Sequence, residues 1–486
     1  MKNAIYTLCT LSLLAVSHAS AQQSDTIKLG DVKVTATLRV REYAWDWFEP
    51  AGTRQNEYAY SGNILRLNFA EKRGALDLDA EVAVPFLLAL PTNATAPAPQ
   101  GALGLGSNYY TANGGHQYSA MAFAKQVYAR YHFGPKESES VQAGRFEFND
   151  GSEIAPKNAT LATLKQSRVS QRLIGVFGFS DVGRSFDGGR YSWTRPTTDF
   201  TFVAATPTRG VFQTDGWGWN RVAFGYAAFT KEWGHGNHAA DTRFFAIDYD
   251  DFRHIVKTDN RSAAVRAGDT ENIHIQTWGG HSLHAVTTKS GTLDALGWVA
   301  VQTGRWGTQT QRAYAFDLEG GFQPAILPHL KPWIRAGYTL GSGDKNAKDS
   351  THGTFFQLLP TPRLYARFPF FNMMNTEDAF ASMILQPHRK VTISSEYHAL
   401  RLTNATDLWY SGGGAYQPWT FGYNGRSTSG RRSLANLYDT SLEYRANRHT
   451  TLTAYFGYAQ GRAAMRQIYP AGTDARFGYL EALFRM

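Results

Sequence analysis

Apolar and polar residues alternate along most of this chain, with the period of strands that separate two unlike surroundings. In Arg476-Phe-Gly-Tyr-Leu-Glu-Ala-Leu-Phe-Arg-Met486, Leu480, Ala482, Phe484 and Met486 share one parity while Glu481 and Arg485 share the other. Val34, Ala36, Leu38 and Val40 alternate in the same way with Thr35, Thr37, Arg39 and Arg41. Leu65, Leu67 and Phe69 point away from Arg66 and Asn68. After a tight turn at Lys72-Arg73-Gly74, Leu76, Leu78, Ala80, Val82 and Val84 point away from Asp77, Asp79 and Glu81. A face charged at every second position is costly against lipid, so that face is expected to be wet and the other to meet hydrocarbon. Acidic and basic rows on neighbouring strands pair and brace the wall, and bracing stands beside solute contact as a reading of each lumenal charge.

Further strands are expected at 121–133, 140–148, 185–193, 199–205, 221–230, 242–249, 272–287, 293–303, 313–322, 331–340, 377–386, 389–402, 437–446, 450–459 and 476–486. With the first three this makes about 18, an even number at which an aqueous channel remains inside a closed barrel. The pattern predicts an all-β fold, a transmembrane antiparallel β-barrel in which the last strand pairs with the first, since an open edge does not survive in hydrocarbon. Connection lengths agree. With the C-terminus in the periplasm, the short connections 71–74, 134–139, 194–198, 288–292, 387–390 and 446–449 fall on the periplasmic side. The long ones, 87–120, 149–184, 250–270, 341–376 and 403–436, then fall outside.

Composition changes this picture little. Aromatics make up 14% of the chain and glycines number 46, while the mean hydropathy is negative. The longest apolar run past the N-terminus, Val82 to Pro91, is far short of a spanning helix. Residues 1–21 read as a secretory signal: Lys2 gives the positive end, Ala4 to Val16 an apolar core, and Ala19-Ser20-Ala21 the cleavage pattern, leaving 22–486 as one barrel domain. The only cysteine, Cys9, falls within the signal, which excludes disulfide and thiol chemistry from the mature chain. The formal charge of +9 is modest, and without a recognisable basic and aromatic module nucleic acid is not an expected partner. An anion preference inside a channel uses such a surplus better.

Candidate chemistry is sparse. No serine elbow and no His-Glu-x-x-His helix is present, which argues against an outer-membrane enzyme. His235 and His238 sit in a glycine-rich turn without an obvious third ligand. Asp344, Asn346 and Asp349 offer hard oxygens to calcium, but they lack calcium-loop spacing and Lys345 and Lys348 intervene. No cofactor is expected.

The long connections are more telling. The stretch from Ala159 to Ile174 spaces Leu161, Leu164, Val169 and Leu173 amphipathically with Lys165, Arg168 and Arg172, and is expected to fold into the pore. Asp181-Val-Gly-Arg-Ser-Phe-Asp-Gly-Gly-Arg190 re-enters the wall with Arg184, Asp187 and Arg190. The segment from Leu359 to Asn375 combines prolines and aromatics with Arg363 and Arg367, and is expected to pack on the barrel mouth. Parity places Arg130 with Gln126, Tyr128 and His132 on the wet face, and Arg145 with Glu147.

From Gly144 onward the chain resembles the alginate export family of outer-membrane barrels. The residues that carry the likeness are Gly144-Arg145, Gly183-Arg-Ser-Phe-Asp-Gly188, the run from Gly341 through Met374, and the stretch from Leu400-Arg-Leu through Asp407-Leu-Trp to Tyr479-Leu-Glu-Ala-Leu-Phe-Arg. The resemblance implies a monomeric porin-like barrel in the outer-membrane lipid, with an arginine-rich, anion-selective lumen that passes a polyuronate such as alginate. It also makes a periplasmic polysaccharide-secretion scaffold an expected partner. Lumenal candidates are Arg39, Arg41, Arg66, Arg130, Arg145, Arg184, Asp187, Arg190, Arg363 and Arg367, while Asp77, Asp79 and Glu81 depart from a uniformly positive conduit. An anion-preferring porin for small solutes is the alternative.

Overall fold

The computed structural model describes residues 27–361, 367–414 and 417–486. The signal segment and Arg363 lie outside them. Alternation like that of Gln309–Pro324 explains the fold. There Asp317 and Glu319 are buried, while Leu318 between them is 60% exposed. A strand whose acids are covered and whose leucine is bare has its protein side facing a wet interior and its outer side facing lipid. Phe244, Trp278, Val299 and Phe456 are outward and bare in the same way.

Eighteen such strands close a single antiparallel barrel. The first nine are β1 (Val32–Asp46), β2 (Glu57–Arg73), β3 (Leu76–Leu88), β4 (Phe123–Phe133), β5 (Glu139–Phe146), β6 (Phe186–Arg195), β7 (Thr198–Pro207), β8 (Val222–His235) and β9 (His238–Asp251). The rest are β10 (Ile273–Thr288), β11 (Gly291–Trp306), β12 (Gln309–Pro324), β13 (Trp333–Gly341), β14 (Thr376–His388), β15 (Val391–Leu402), β16 (Ser433–Arg445), β17 (Thr450–Gly461) and β18 (Asp474–Arg485). Each neighbour in sequence is a neighbour in the sheet, and β1 pairs with both β2 and β18. At the seam Thr37 faces Arg485 and Asp46 faces Arg476. Every expected strand is present, and β10 runs unbroken through Gly279-Gly280.

One rim carries only short turns, such as 74–75, 196–197, 289–290 and 389–390; its longest, 325–332, was not anticipated as a separate connection. The other rim carries 89–122, 147–185, 252–272, 342–375 and 403–432. These long loops fold inward. They include a helix at Leu105–Ala112, a helix at Ala159–Leu164 that continues as one π-helical turn at Lys165–Val169, and a hairpin of Leu408–Gly412 with Tyr423–Ser427. On the long-loop half of the lumen they complete an aromatic core with the strands. Trp45 stacks on Phe477 at 4.1 Å between ring centres, Tyr43 on Tyr60 at 4.6 Å, and Phe368 packs edge-on against Trp45. The half nearer the short turns stays open.

Candidate functional site

The loop 147–185 spans the lumen because its stretches 165–172 and 178–181 are tied to opposite walls. On one side Lys165 reaches Asp241 of β9, while Arg168 and Arg172 reach Glu319 and Asp317 of β12 at 2.9 and 2.6 Å. On the other, Arg39 of β1 donates to Gly178 O and to Asp181 Oδ1 at 2.9 and 3.1 Å, and Arg41 donates to Phe179 O at 2.8 Å. Tyr43 and Tyr109 both donate to Asp181 Oδ2. Gly62 of β2 admits this contact, for a methyl there would overlap the Asp181 carboxylate. The expected inward fold of 159–174 is therefore found, with its three cations spent on the far wall.

Two further loops stack above it. Gly175 N donates to Leu359 O, Leu359 N to Leu173 O and Thr361 N to Gln171 O, so the segment near 359 adds a short parallel strand to the crossing loop. Asn372 joins the hairpin through Tyr410 O. Asp407 is buried and accepts from Thr354 Oγ1 at 2.6 Å, Tyr410 Oη at 2.7 Å and Asp344 N at 2.9 Å. Burial pushes the Asp407 carboxyl up to about 6. Below this roof lies a cavity of about 600 Å³. Its wall carries Arg39, Arg41, Arg66, Lys125, Arg168, Arg335 and Arg367, against Glu147, Glu396, Asp439, Glu443 and Glu481.

The arginines singled out in the sequence divide into four groups. Arg39, Arg41, Arg66 and Arg367 line the cavity. Arg41 and Glu481 pair across the barrel seam, and Arg66 holds Glu81 at 2.6 Å and Glu147 at 3.1 Å. Arg367 contacts the Tyr479 hydroxyl at 3.2 Å. Arg145 and Asp187 form a two-pronged pair at 2.7 and 2.8 Å that braces β5 against β6. Arg130 donates to Gln142, and Arg190 to Ser192; among the described residues neither has a carboxylate within ion-pair reach. Gln142 pairs in register with both, so the two arginines share one row of the lumen wall. Arg184 departs from the expectation of a lumenal cation. It is fully buried in the roof, donating to Pro360 O and Gly413 O at 3.2 Å, and burial lowers it to about 10. It ties three long loops together and does not line the cavity.

Asp344, Asn346 and Asp349 each accept the backbone N–H two residues on, at 2.9, 3.2 and 2.9 Å, so their oxygens shape three successive turns. His238 pairs with His284 at 3.0 Å rather than with His235. Sequence reading did not place Lys125 in the lumen, because a bulge opposite Glu81 and Val82 turns Lys125 inward beside its neighbour Gln126. Arg335, Glu396, His398 and Asp439 were also missed, although strand parity alone could have found Arg335 between Trp333 and Gly337.

Known structures share this architecture. OccK9 (OpdG) of Pseudomonas aeruginosa matches with a TM-score of 0.58 at 10% identity, covering 94% of this chain and 98% of that one. OccAB2 of Acinetobacter baumannii matches at 0.59 and 8% identity over 94% and 99%. OccK2 (OpdF) of Pseudomonas aeruginosa, solved with glucuronate, matches at 0.55 and 7% identity over 94% and 98%. Among curated proteins none matches. The neighbours fix the fold as an outer-membrane porin barrel, and family and fold are those of channels. The family model described as alginate export matches residues 119–460, from just before β4 almost to the end of β17, and the chain belongs to the alginate export family.

Proposed function

We propose that this barrel passes an anionic polysaccharide of the alginate type, or its fragments, through the lumen, passively and in the direction of export. The supporting observation is the Arg130–Gln142–Arg190 row: two guanidiniums on one face of the wall, with no carboxylate among the described residues within ion-pair distance, although Asp77 faces Arg130 in the register. A polyuronate carries one carboxylate per sugar, and an arginine fork binds carboxylate in two-pronged fashion, so free arginines along a conduit offer weak, repeated sites. Passage needs sites weak enough to leave. No nucleotide motif is present, so the driving force is a gradient or a periplasmic partner such as a secretion scaffold.

The roof over the cavity favours a second reading, an anion-preferring porin for small uronate-like solutes, since a polymer must displace the crossing loop before it threads. The glucuronate in one structural neighbour belongs to that reading as well. Replacing both free arginines separates charge selection from wall bracing, because neither leaves a paired acid behind. At an effective dielectric near 20, unit charges ~6 Å apart interact by roughly 3 kcal/mol before screening. Arg130→Glu with Arg190→Glu should move the reversal potential in a salt gradient towards cations and weaken block by alginate oligomers. A reversal potential and block equal to wild type would reject the anion reading. Block that strengthens with oligomer length supports the polysaccharide, and block by monomers alone supports the small-solute porin.

A further inference from the structure

One part of the cavity wall is chemically unlike the rest. His398 on β15 is fully buried, with Nδ1 2.8 Å from Asp378 Oδ2 on β14 and Nε2 3.2 Å from Glu396 Oε2 on its own strand. Asp439 on β16 stands directly opposite Glu396 in the register. Ligand atoms of Glu396, His398 and Asp439 all lie within 4.8 Å of one another. Asp378 is only 5% exposed, and its second oxygen, Oδ1, is buried without a hydrogen-bond partner.

Three carboxylates therefore crowd one imidazole. The basic groups that face them are already engaged: Arg168 is 3.9 Å from Glu396 but 2.9 Å from Glu319. Arg367 lies over the ring of Tyr455, whose hydroxyl donates to Asp439 Oδ2 at 3.2 Å. A protonated imidazole offsets one of the three negative charges, and acids left unpaired where Asp378 is buried and Glu396 and Asp439 are half-buried are costly. A divalent cation offsets two and takes the place of a proton on His398. The geometry points to a divalent-metal site in the lumen wall, with Glu396, His398 and Asp439 as ligands and Asp378 orienting the imidazole through its other nitrogen.

Its chemistry is that of Zn²⁺ or Mn²⁺. One imidazole with two carboxylates is the mixed nitrogen and oxygen set that these ions accept, and a carboxylate behind a ligating histidine is the usual partner that fixes its ring. Bonds of about 2.0–2.2 Å bring tetrahedral ligands to roughly 3.4 Å from each other, so the present spacing must contract. Glu396 and Asp439 line the cavity and can swing, whereas His398 is fixed. An ion held there keeps open positions facing the cavity. The site does not rest on the proposed transport, because binding is read without any current.

The test is titration of the folded full-length barrel in detergent with Mn²⁺, followed by electron paramagnetic resonance, and with Zn²⁺ by calorimetry. One saturable site per barrel is expected, weakened at least about tenfold by Glu396→Gln and further by Glu396→Gln with Asp439→Asn. Heat-modifiable migration checks that each variant is folded, and the single variant serves should the double one fail to assemble. Glu443→Gln, in the same cavity but outside the cluster, should bind as wild type does. Absence of saturable binding by the wild type at millimolar metal overturns the proposal. So does equal weakening by Glu443→Gln, which would show only a diffuse attraction to the acidic wall.

Discussion

Asp150 and Glu153 stand three positions apart in the loop after β5 and are driven in opposite directions. Asp150 Oδ1 accepts from Leu173 N and Ile174 N, closing the base of the crossing loop, and burial lifts its carboxyl to about 6 despite Arg243. Burial would raise Glu153 as well, but the Arg243 guanidinium 3.1 Å away, with Lys165 beyond it, holds it down to about 2. An acid raised above its free value of about 3.9 keeps its proton more tightly in the docked loop than in a released one. Docking through Asp150 and Asp407 is thus strongest below about 4 and weakens as pH rises through about 6. Glu153 has the opposite sign: its contribution is whole above about 4.3 and is lost as pH falls towards 2. Between pH 7 and 5 only the first effect operates. Open probability in planar bilayers should fall over that range, on the order of tenfold per group, and Asp150→Asn should leave only the part that Asp407 contributes. A rise in open probability towards pH 5 would contradict the assignment of these acids to the docked roof.

At the level of elements, the eighteen strands were legible because lipid and water impose a period of two on every one of them. The loops were legible only as composition. The spacing of Leu161, Leu164, Val169 and Leu173 showed that 159–174 has an apolar side, yet its docking depends on Asp241, Asp317 and Glu319 more than seventy positions away. Arg184 shows the same limit: two residues before β6, it was expected to re-enter the wall with Asp187 and Arg190, but Gly183 takes a positive φ and pairs with Val211, and the Arg184 side chain enters the roof. Lys125 fails for a third reason, since a bulge reverses parity without any mark in the sequence. The loop 342–375 provides the element-scale test. Its contacts with 171–175 are backbone pairs together with one bond from Gln357 Nε2 to Arg172 O, and Gly341 and Thr376 at its ends sit in adjacent strands. A short flexible linker in place of 345–372 should therefore leave the barrel heat-modifiable and raise single-channel conductance severalfold. Unchanged current would show that the crossing loop alone sets the narrowing.

At the scale of the whole molecule, one seam decides whether the sheet is a barrel. β1 and β18 meet over Thr37–Asp46 and Arg476–Arg485, and the pairing is reinforced inside the lumen by Arg41 with Glu481 and by Arg39, 4.0 Å from the same carboxylate. The same two arginines hold the crossing loop through Phe179 O and Gly178 O, so wall closure and lumen constriction share their side chains. Closure sits at the short-turn rim, where Met486 N donates to Ala36 O at 2.9 Å and Arg485 N to His449 O at 2.8 Å. Deleting Phe484 to Met486 removes the last pairs that β18 makes with Leu38 of β1 and Thr450 of β17. The bared backbone of β1 and β17 then faces hydrocarbon, where each unsatisfied group costs several kcal/mol. By contrast, Arg41→Met with Glu481→Leu removes the lumenal pair and leaves every backbone bond in place, and replacing a buried ion pair by packed apolar groups is often nearly neutral. The deletion should abolish the heat-modifiable outer-membrane form, while the paired replacement assembles normally and shows a higher open probability because Phe179 O has lost its donor. Normal assembly of the deletion would mean that the seam is not what closes the barrel. Failure of the paired replacement to assemble would mean that the lumenal ion pair, rather than the backbone ladder, holds it shut.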